Sequence, residues 1–170
     1  MEALEAILTR RSIRHYTDQA VSEEEIEKLL RAAMQAPSAG DEQPWHFIVI
    51  RDRATLDAIP AIQPYAQMLK EAPAAIVVLG DPRLERKVAG MWLQDCSAAT
   101  ENLLLAAHAQ GLGACWCALH PIETCVAAVR EMLSIPKDVT PLAIVALGHP
   151  AKEKPPVDRF IATRVHRERW

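Results

Sequence analysis

Apolar residues recur at helical spacing in several parts of the chain. Leu4, Ile7 and Leu8 predict a short first helix, and a capping box of Ser22 with Glu25 begins a second helix that reaches about residue 34. Further short helices are predicted at residues 56–59, 65–70 and 121–132. The longest helical pattern runs from about residue 87 to residue 110, and most of its surface is small or apolar. We therefore expect this helix to lie at the centre of the domain.

Uninterrupted apolar runs predict the strands. Three runs, at residues 45–50, 74–79 and 140–147, have the composition of buried strands, and a shorter strand is expected within residues 111–119. Helices that alternate with three or four strands indicate an α+β or α/β fold. No linker or repeat interrupts the pattern, so one domain over residues 1–170 is predicted.

The last part of the chain, residues 149–170, is rich in proline and charge but still carries apolar side chains along its length. This spread argues against a freely disordered tail. We expect an extended tail that packs on the partner subunit of a homodimer, and packing on its own subunit is the alternative. The apolar residues concerned are Val157, Phe160, Ile161, Val165 and Trp170.

Composition excludes several classes of function. The net charge of -3 gives no general attraction to nucleic acid, and no apolar run is long enough to span a bilayer. The first residues lack the layout of a signal peptide, so a cytoplasmic location is expected. Four cysteines in 170 residues do not make a secreted disulfide framework, and we expect reduced, mostly buried thiols.

Residues 10–14 place three arginines and a serine within five positions. A guanidinium group donates two parallel hydrogen bonds to phosphate oxygens, so this cluster suits a phosphate monoester. For the segment alone, a solvated basic turn is the better explanation. Three further segments change that balance, because together with the arginines they suit a planar cofactor: residues 37–45, 111–119 and 147–159.

These four segments, in this order, resemble the FMN-dependent nitroreductase family. They read Arg-Arg-Ser-Ile-Arg, Ala-Pro-Ser-Ala-Gly-Asp-Glu-Gln-Pro-Trp, Gly-Leu-Gly-Ala-Cys-Trp, and Leu-Gly-His-Pro followed by Pro-Pro-Val-Asp-Arg-Phe. The resemblance covers nearly the whole chain. It implies an α+β three-layer sandwich with a mostly antiparallel central sheet, in an intertwined homodimer with FMN at the interface. It also implies that NADH or NADPH reduces the flavin, and that an electron-poor acceptor such as a nitroaromatic or a quinone is reduced next.

The resemblance assigns the phosphate end of the site to basic residues. Arg10, Ser12 and Arg14 would hold the FMN phosphate and ribityl chain, with Arg11 beside them. Arg159 would be a late phosphate contact. No catalytic side chain is expected, because in hydride transfer the flavin carries out the reaction and the protein supplies binding and orientation.

The resemblance assigns the ring end to two backbone segments. Pro37, Ser38 and Ala39 would come from the partner subunit and lie along the isoalloxazine ring, while residues 115–119 would cover the opposite edge. Asp95 is a further candidate, and Gln67 or Gln63 could reach the pyrimidine edge. The residues of the second segment are Cys115, Trp116, Cys117, Ala118 and Leu119.

Two positions depart from the family pattern. Asp41 stands where the family more often has asparagine, and an ionised carboxylate cannot donate a hydrogen bond. Asp41 would therefore be protonated, turned away or accepting from the ring N3–H. Several members have an acidic residue near the position of Ala118, and its absence would change the acceptor preference.

The sequence leaves other functions open. Cys115 and Cys117 have neither zinc-site spacing nor a second ligand pair, so no metal is expected. A flavin-binding or flavin-delivery protein would carry the same residues, and specialised flavin chemistry with a dedicated acceptor is a second alternative. The short interval between residues 54 and 74 leaves little room for the lid of such specialised enzymes. NADH and NADPH are not distinguished.

Overall fold

The computed structural model describes residues 1–170 and contains five α-helices and four strands. The helices are α1 (Ala3–Thr9), α2 (Glu23–Ala33), α3 (Arg53–Ile62), α4 (Trp92–Ala109) and α5 (Glu123–Met132). The strands are β1 (Trp45–Ile50), β2 (Ala74–Gly80), β3 (Gly113–Ala118) and β4 (Thr140–Gly148). Short 3-10 turns occupy Ala39–Asp41, Pro64–Lys70, Pro82–Leu84 and Ala162–Arg164.

The four strands form one antiparallel sheet in the order β1-β2-β4-β3. The central strands β2 and β4 are buried on both faces, as their unbroken apolar sequences require. One face is covered by α2 and α4, and the other by α3, α5 and the Pro64–Lys70 turn. The α+β three-layer sandwich implied by the family resemblance is confirmed.

Small residues bring α4 close to the sheet. Cys96, Ala99 and Ala107 are fully buried on its inner face, together with Leu103. The ring of Trp92 lies on Gly80, where an added Cβ would be 2.1 Å from a ring carbon. The helix predicted to lie at the centre of the domain therefore packs directly on the sheet, as expected.

One boundary and the burial of one strand differ from the prediction. The long helix begins at Trp92 and not at residue 87, because Gly90 has a φ of +85° and the Glu85 carboxylate accepts hydrogen bonds from the N–H groups of Gly90 (3.0 Å) and Trp92 (2.5 Å). Strand β1 was predicted to be buried. As an edge strand it buries only its end residues, Trp45 and Ile50.

Helix α1 turns its apolar side chains outward. Leu4, Ile7 and Leu8 are 67%, 57% and 63% exposed. The helix is nevertheless attached to α4, because the Thr9 hydroxyl is hydrogen-bonded to His108 Nε2 at 2.8 Å. The apolar stripe that predicted α1 therefore has no covering element within this chain.

The tail is extended, as predicted. Its first residues follow the segment of residues 12–16, with Ala151 N donating to His15 O (2.9 Å) and a bridge between Tyr16 and Pro150. Beyond Pro156 all of its hydrogen bonds are local, and Trp170 is fully exposed. Packing of the apolar side chains of the tail on the partner subunit stays a prediction, as does the alternative of packing on their own subunit. All four cysteines are free and buried, as expected. No helix here has both the length and the apolar character that a bilayer crossing demands.

Candidate functional site

The segment of residues 10–14 lies along the free edge of β3. Ser12 forms a parallel bridge with Ala114, and Ile13 N donates to Ala114 O at 3.0 Å. The Ile13 side chain packs on Gly113, where an added Cβ would lie 2.7 Å from Ile13 Cγ2. The first and third predicted segments are thus in contact, and glycine at position 113 is what permits that approach.

Positive charge accumulates at this end of β3. Arg10 Nε lies 3.2 Å from Glu101 Oε1, and Arg11 donates from Nη1 to the Pro155 carbonyl oxygen. Arg159 lines the same groove as Arg10 and Arg11, together with residues of α1 and of the tail. The only acidic residue in that lining is Asp158, whose carboxylate accepts from Phe160 N. Most guanidinium donors of the groove therefore remain free to bind an anion.

Lys154 joins this cluster although sequence reasoning did not select it. Its ammonium group donates to Ser12 O at 3.1 Å. The pKa of the Cys115 thiol lies below its ordinary value, first because of a hydrogen bond with the Cys117 thiol and then because of the positive charges of Arg14, Lys154 and Arg10. Three cations therefore act on one point of β3. The only signal for Lys154 in the sequence was its charge beside the Pro-Pro pair.

The other end of β3 is held by Gln63. This side chain is buried, its Nε2 donates to Ala118 O at 2.6 Å, and its Oε1 accepts from Tyr65 N at 3.1 Å. Gln67 is exposed and donates to the carbonyl oxygens of Pro60 and Pro64 at 3.4 and 3.2 Å. Both amides expected near a flavin ring are therefore committed to backbone groups.

The free edge of β3 has a polar and open middle. Ala114 and Ala118 direct their carbonyl oxygens to Ile13 N and to Gln63, and not to β4. Because a strand repeats every two residues, the backbone of Trp116 lies on the same edge between them. Leu119 is different, since its N–H is already bonded to Leu142 O at 2.9 Å. Of residues 115–119, Trp116 and Ala118 therefore present their backbone to this edge, while Cys115 and Cys117 are buried beneath it.

The loop of residues 37–43 has an unusual backbone. Gly40, Asp41 and Gln43 have φ angles of +60°, +57° and +50°. This left-handed region favours glycine and tolerates aspartate better than most residues. The Asp41 carboxylate accepts from Gln43 Nε2 at 3.0 Å, and Ser38 Oγ accepts from Gln43 N at 3.0 Å. The Asp41 side chain is therefore directed at Gln43 of its own loop, and its relation to a flavin stays a prediction.

Two other elements hold this loop from outside. Asp95, in the first turn of α4, accepts from Ala39 N at 3.1 Å. Lys87 Nζ donates to Gly40 O at 2.8 Å, and the Glu42 carboxylate accepts from the N–H groups of Arg86 and Lys87. Asp95 is therefore attached to the loop and not to the arginine groove.

The loop and the arginine groove do not meet within one chain. The loop contacts the start of α4 at Asp95, whereas the basic segment contacts α4 later, through Arg10 with Glu101 and Thr9 with His108. Glu101 lies six residues after Asp95 on the helix, which places it about 9 Å farther along the axis and about 120° around it. One subunit alone thus brings the phosphate-end residues together with β3, but not with Pro37, Ser38 and Ala39.

Comparisons with known proteins agree along the whole chain. The model of the nitroreductase family matches residues 7–63 and 61–149. A protein of Methanothermobacter thermautotrophicus, provisionally named NADH dehydrogenase/NAD(P)H nitroreductase, is 52% identical over 170 residues, which are 100% of this chain and 88% of that protein. An Archaeoglobus fulgidus protein with the same provisional name is 52% identical over 172 residues, covering 99% of each.

Solved structures give the same result. An FMN-dependent nitroreductase from Clostridium difficile has a TM-score of 0.90 at 30% identity and covers 98% of this chain and 99% of its own. A provisionally named nitroreductase from Desulfovibrio desulfuricans, solved in complex with FMN, has a TM-score of 0.87 at 36% identity and covers 100% of this chain and 98% of its own. The similarity therefore includes every segment of the candidate site.

Proposed function

The chain belongs to the nitroreductase family, and on that premise we propose that it is an enzyme that binds FMN and passes electrons from NADH or NADPH to electron-poor acceptors. The proposed order is ping-pong: the nicotinamide reduces the flavin and leaves before the acceptor binds. Nitroaromatic compounds and quinones are the proposed acceptor classes. The chemistry depends on NADH or NADPH, which are intracellular, so the cytoplasm is the proposed compartment.

The observation that carries the proposal is that the two ends of the free edge of β3 differ in character. Cations gather where Ser12 meets Ala114, and an edge with available backbone groups extends from there to Ala118. Four residues of strand span about 13 Å. A molecule with an anionic phosphate at one end and a flat, hydrogen-bonding ring at the other fits this arrangement.

The donor set fits the phosphate of FMN. Arg10, Arg11 and Arg159 line one groove, and Lys154 lies beside Ser12. Arginine forks and a lysine ammonium group form short, charge-assisted hydrogen bonds with phosphate oxygens, and such bonds are roughly twice as strong as neutral ones. These residues would bind the phosphate, and Arg14 would add positive charge at the groove.

The ring end needs positioning groups and not an acid or base. Bound FMN supplies the hydride-accepting ring. The backbone of Trp116 and Ala118 would orient the ring along β3, with Gln63 holding the strand end in place. No side chain of the chain is assigned a proton-transfer role. Because Ala118 has no acidic side chain, the ring end of the site carries no negative charge at this position. Acceptors would therefore not need a cationic group in order to bind.

A homodimer completes the proposed site. The exposed apolar side chains of α1 and the exposed tail residues form unpartnered surfaces that a second copy would cover. The loop of residues 37–39 lies away from the groove of its own chain and would serve the site of the partner. The end of the tail, residues 160–170, whose apolar side chains are exposed, would lie on the partner subunit. Each pair of subunits would form two identical sites.

Steady-state kinetics tests the reaction order. Initial rates are measured with NADH and with NADPH against 1,4-benzoquinone and 4-nitrobenzoate as acceptors. Double-reciprocal plots at several acceptor concentrations should give parallel lines, because the oxidised nicotinamide leaves before the acceptor binds. Intersecting lines would overturn the ping-pong proposal. Oxidation no faster than that of free FMN at the same concentration would indicate a flavin-delivery protein.

A further inference from the structure

Asp95 is a buried carboxylate without a cation. Four polar or charged residues of the chain are buried, and Asp95, at 6% exposed, is one of them. Asp81 is neutralised by Arg83, and the Thr100 hydroxyl donates to Cys96 O within α4. Asp95 forms no ion pair, and its side chain accepts its one hydrogen bond from Ala39 N. Burying a charge costs free energy unless the charge is paired and hydrogen-bonded, and Asp95 has only this one hydrogen bond.

The start of α4 reduces that cost. Asp95 lies in the first helical turn, where the helix dipole favours negative charge. This placement explains why the carboxylate is tolerated, but not why it is directed at the loop. The loop itself supplies the reason, because three of its residues are in the left-handed region and need external contacts to stay there. Lys87 holds the later, exposed part of the loop at Gly40, and Asp95 is the buried contact at its start.

The contact fixes the loop at one defined point. Ala39 ends the segment of residues 37–39 and begins the short turn that contains Gly40 and Asp41. A bond of its N–H to a charged acceptor sets the direction of the peptide plane at that point. Because the Ala39 N–H is already bonded to Asp95, it does not bind the ligand. The segment therefore offers the ligand its small side chains and its remaining backbone groups.

We propose that Asp95 is a positioning residue for the flavin ring. It holds the loop of residues 37–39, which each subunit contributes to the site of its partner, and so fixes where the ring lies. This inference rests on the proposed function. Asp95 touches neither the arginine groove nor β3, and its effect passes through the Ala39 amide. The loop of one subunit and the groove of the other are thereby coupled, and the affinity for FMN depends on a carboxylate that does not contact it.

The test compares three substitutions in the full-length dimer, with FMN affinity as the measurement. Asp95→Ala removes the acceptor and should weaken FMN binding about 10-fold or more, because hydrogen bonds to charged groups are among the stronger ones. Asp95→Asn keeps a side-chain carbonyl oxygen for the Ala39 N–H and should remain within about 3-fold of the unaltered protein. Thr100→Val removes another buried hydrogen bond of α4 and should lower the melting temperature without changing FMN affinity.

A fourth variant approaches the contact from the other side. Ala39→Pro removes the donor, and proline suits the first position of a helical turn that follows the extended Ser38. It should weaken FMN binding about as much as Asp95→Ala does. In the Ala39→Pro background, Asp95→Ala should then have little further effect, because both changes remove the same bond. Additive losses would overturn the inference, and if Asp95→Ala does not fold, an unchanged affinity in Ala39→Pro would overturn it.

The unaltered protein separates the two proposals. If it fails to bind FMN, the proposed function is wrong and the inference falls with it. If it binds FMN and Asp95→Ala binds equally well, the proposed function stands and the inference is wrong. Faster hydrogen exchange at the Ala39 amide in Asp95→Ala than in Thr100→Val would support the contact directly.

Discussion

The Gln63 side-chain amide donates a hydrogen bond to the Ala118 carbonyl oxygen at 2.6 Å, and both groups lie at the end of β3 that faces the proposed flavin ring. The two residues are 55 positions apart in the sequence. Gln63 is buried and accepts a second bond from Tyr65 N, so its orientation is fixed from both sides. The end of the strand is thus set by a residue outside the strand.

Replacing Gln63 should therefore loosen this end of the site. Gln63→Leu leaves the Ala118 carbonyl and the Tyr65 N–H without partners, which should cost about 1 to 3 kcal/mol of folding free energy. Chemical denaturation would measure that loss, and FMN affinity should fall with it. Gln67→Ala is the matched control, because Gln67 is exposed and bonds only to its own turn. Equal effects of the two changes would contradict the role given to Gln63.

Arg159 should contribute to phosphate binding. Arg159→Ala should weaken FMN binding by about 10-fold or more, in keeping with the loss of a charge-assisted hydrogen bond. Arg164→Ala, which removes an exposed arginine of the same tail that does not line the groove, should change affinity little. Binding titrations with FMN and with riboflavin separate the contribution of the phosphate from that of the rest of the molecule, since riboflavin lacks the phosphate. An equal loss for both ligands would argue against a phosphate contact.

The buried Asp81 should make the protein sensitive to acid. Two hydrogen bonds from Arg83, at 2.8 and 2.7 Å, hold the pKa of this carboxyl at about 2, below its ordinary value of 3.8. A lowered pKa stabilises the folded state fully above the ordinary value, and this contribution is lost as the pH falls from about 4 towards 2. Asp81→Asn should cost about 2 kcal/mol at pH 7, with a smaller difference at pH 3. Asp138→Asn, at an exposed position 4.0 Å from Arg83, is the control, and denaturation at both pH values gives the comparison.

The apolar face of α1 should lie in the dimer interface. Ile7→Glu places a charge on a side chain that is 57% exposed in the single chain, and it should shift the protein towards monomers. Light scattering coupled to size exclusion would measure the mass. Ile122→Glu changes a comparably exposed residue at the start of α5 and should leave the dimer intact. A dimer unaffected by Ile7→Glu would contradict the proposed interface.

Local signals in the sequence predicted most of the fold. The capping box of Ser22 and Glu25 forms as expected, because its partners are three residues apart. Continuous apolar runs located β2 and β4 correctly. The same signal misjudged the burial of β1, because edge position depends on strand order and not on composition. The start of α4 was also missed, since its cap is the Glu85 side chain seven residues before Trp92.

The sequence predicted only those parts of the candidate site that can be recognised within one segment of the chain. The arginines, the small-residue loop and the glycines near β3 stand out by residue type. Lys154 was missed, and the contacts that Gln63 and Asp95 make were not predicted although both residues were named as candidates. Each of the three bonds to a backbone group far away in the sequence: Ser12 O, Ala118 O and Ala39 N. Such contacts follow from the packing of the elements and leave no periodic or compositional signal.

The visible absorption spectrum of the purified protein, recorded before and after anaerobic addition of NADH or NADPH, tests the central claim most directly. The account predicts an oxidised-flavin spectrum that bleaches when the nicotinamide is added, with FMN released on denaturation. A flavin spectrum that persists with both nicotinamides would contradict the proposed electron donor. A colourless protein that does not take up FMN would contradict the claim itself, and the arginines of residues 10–14 would then be an ordinary basic turn.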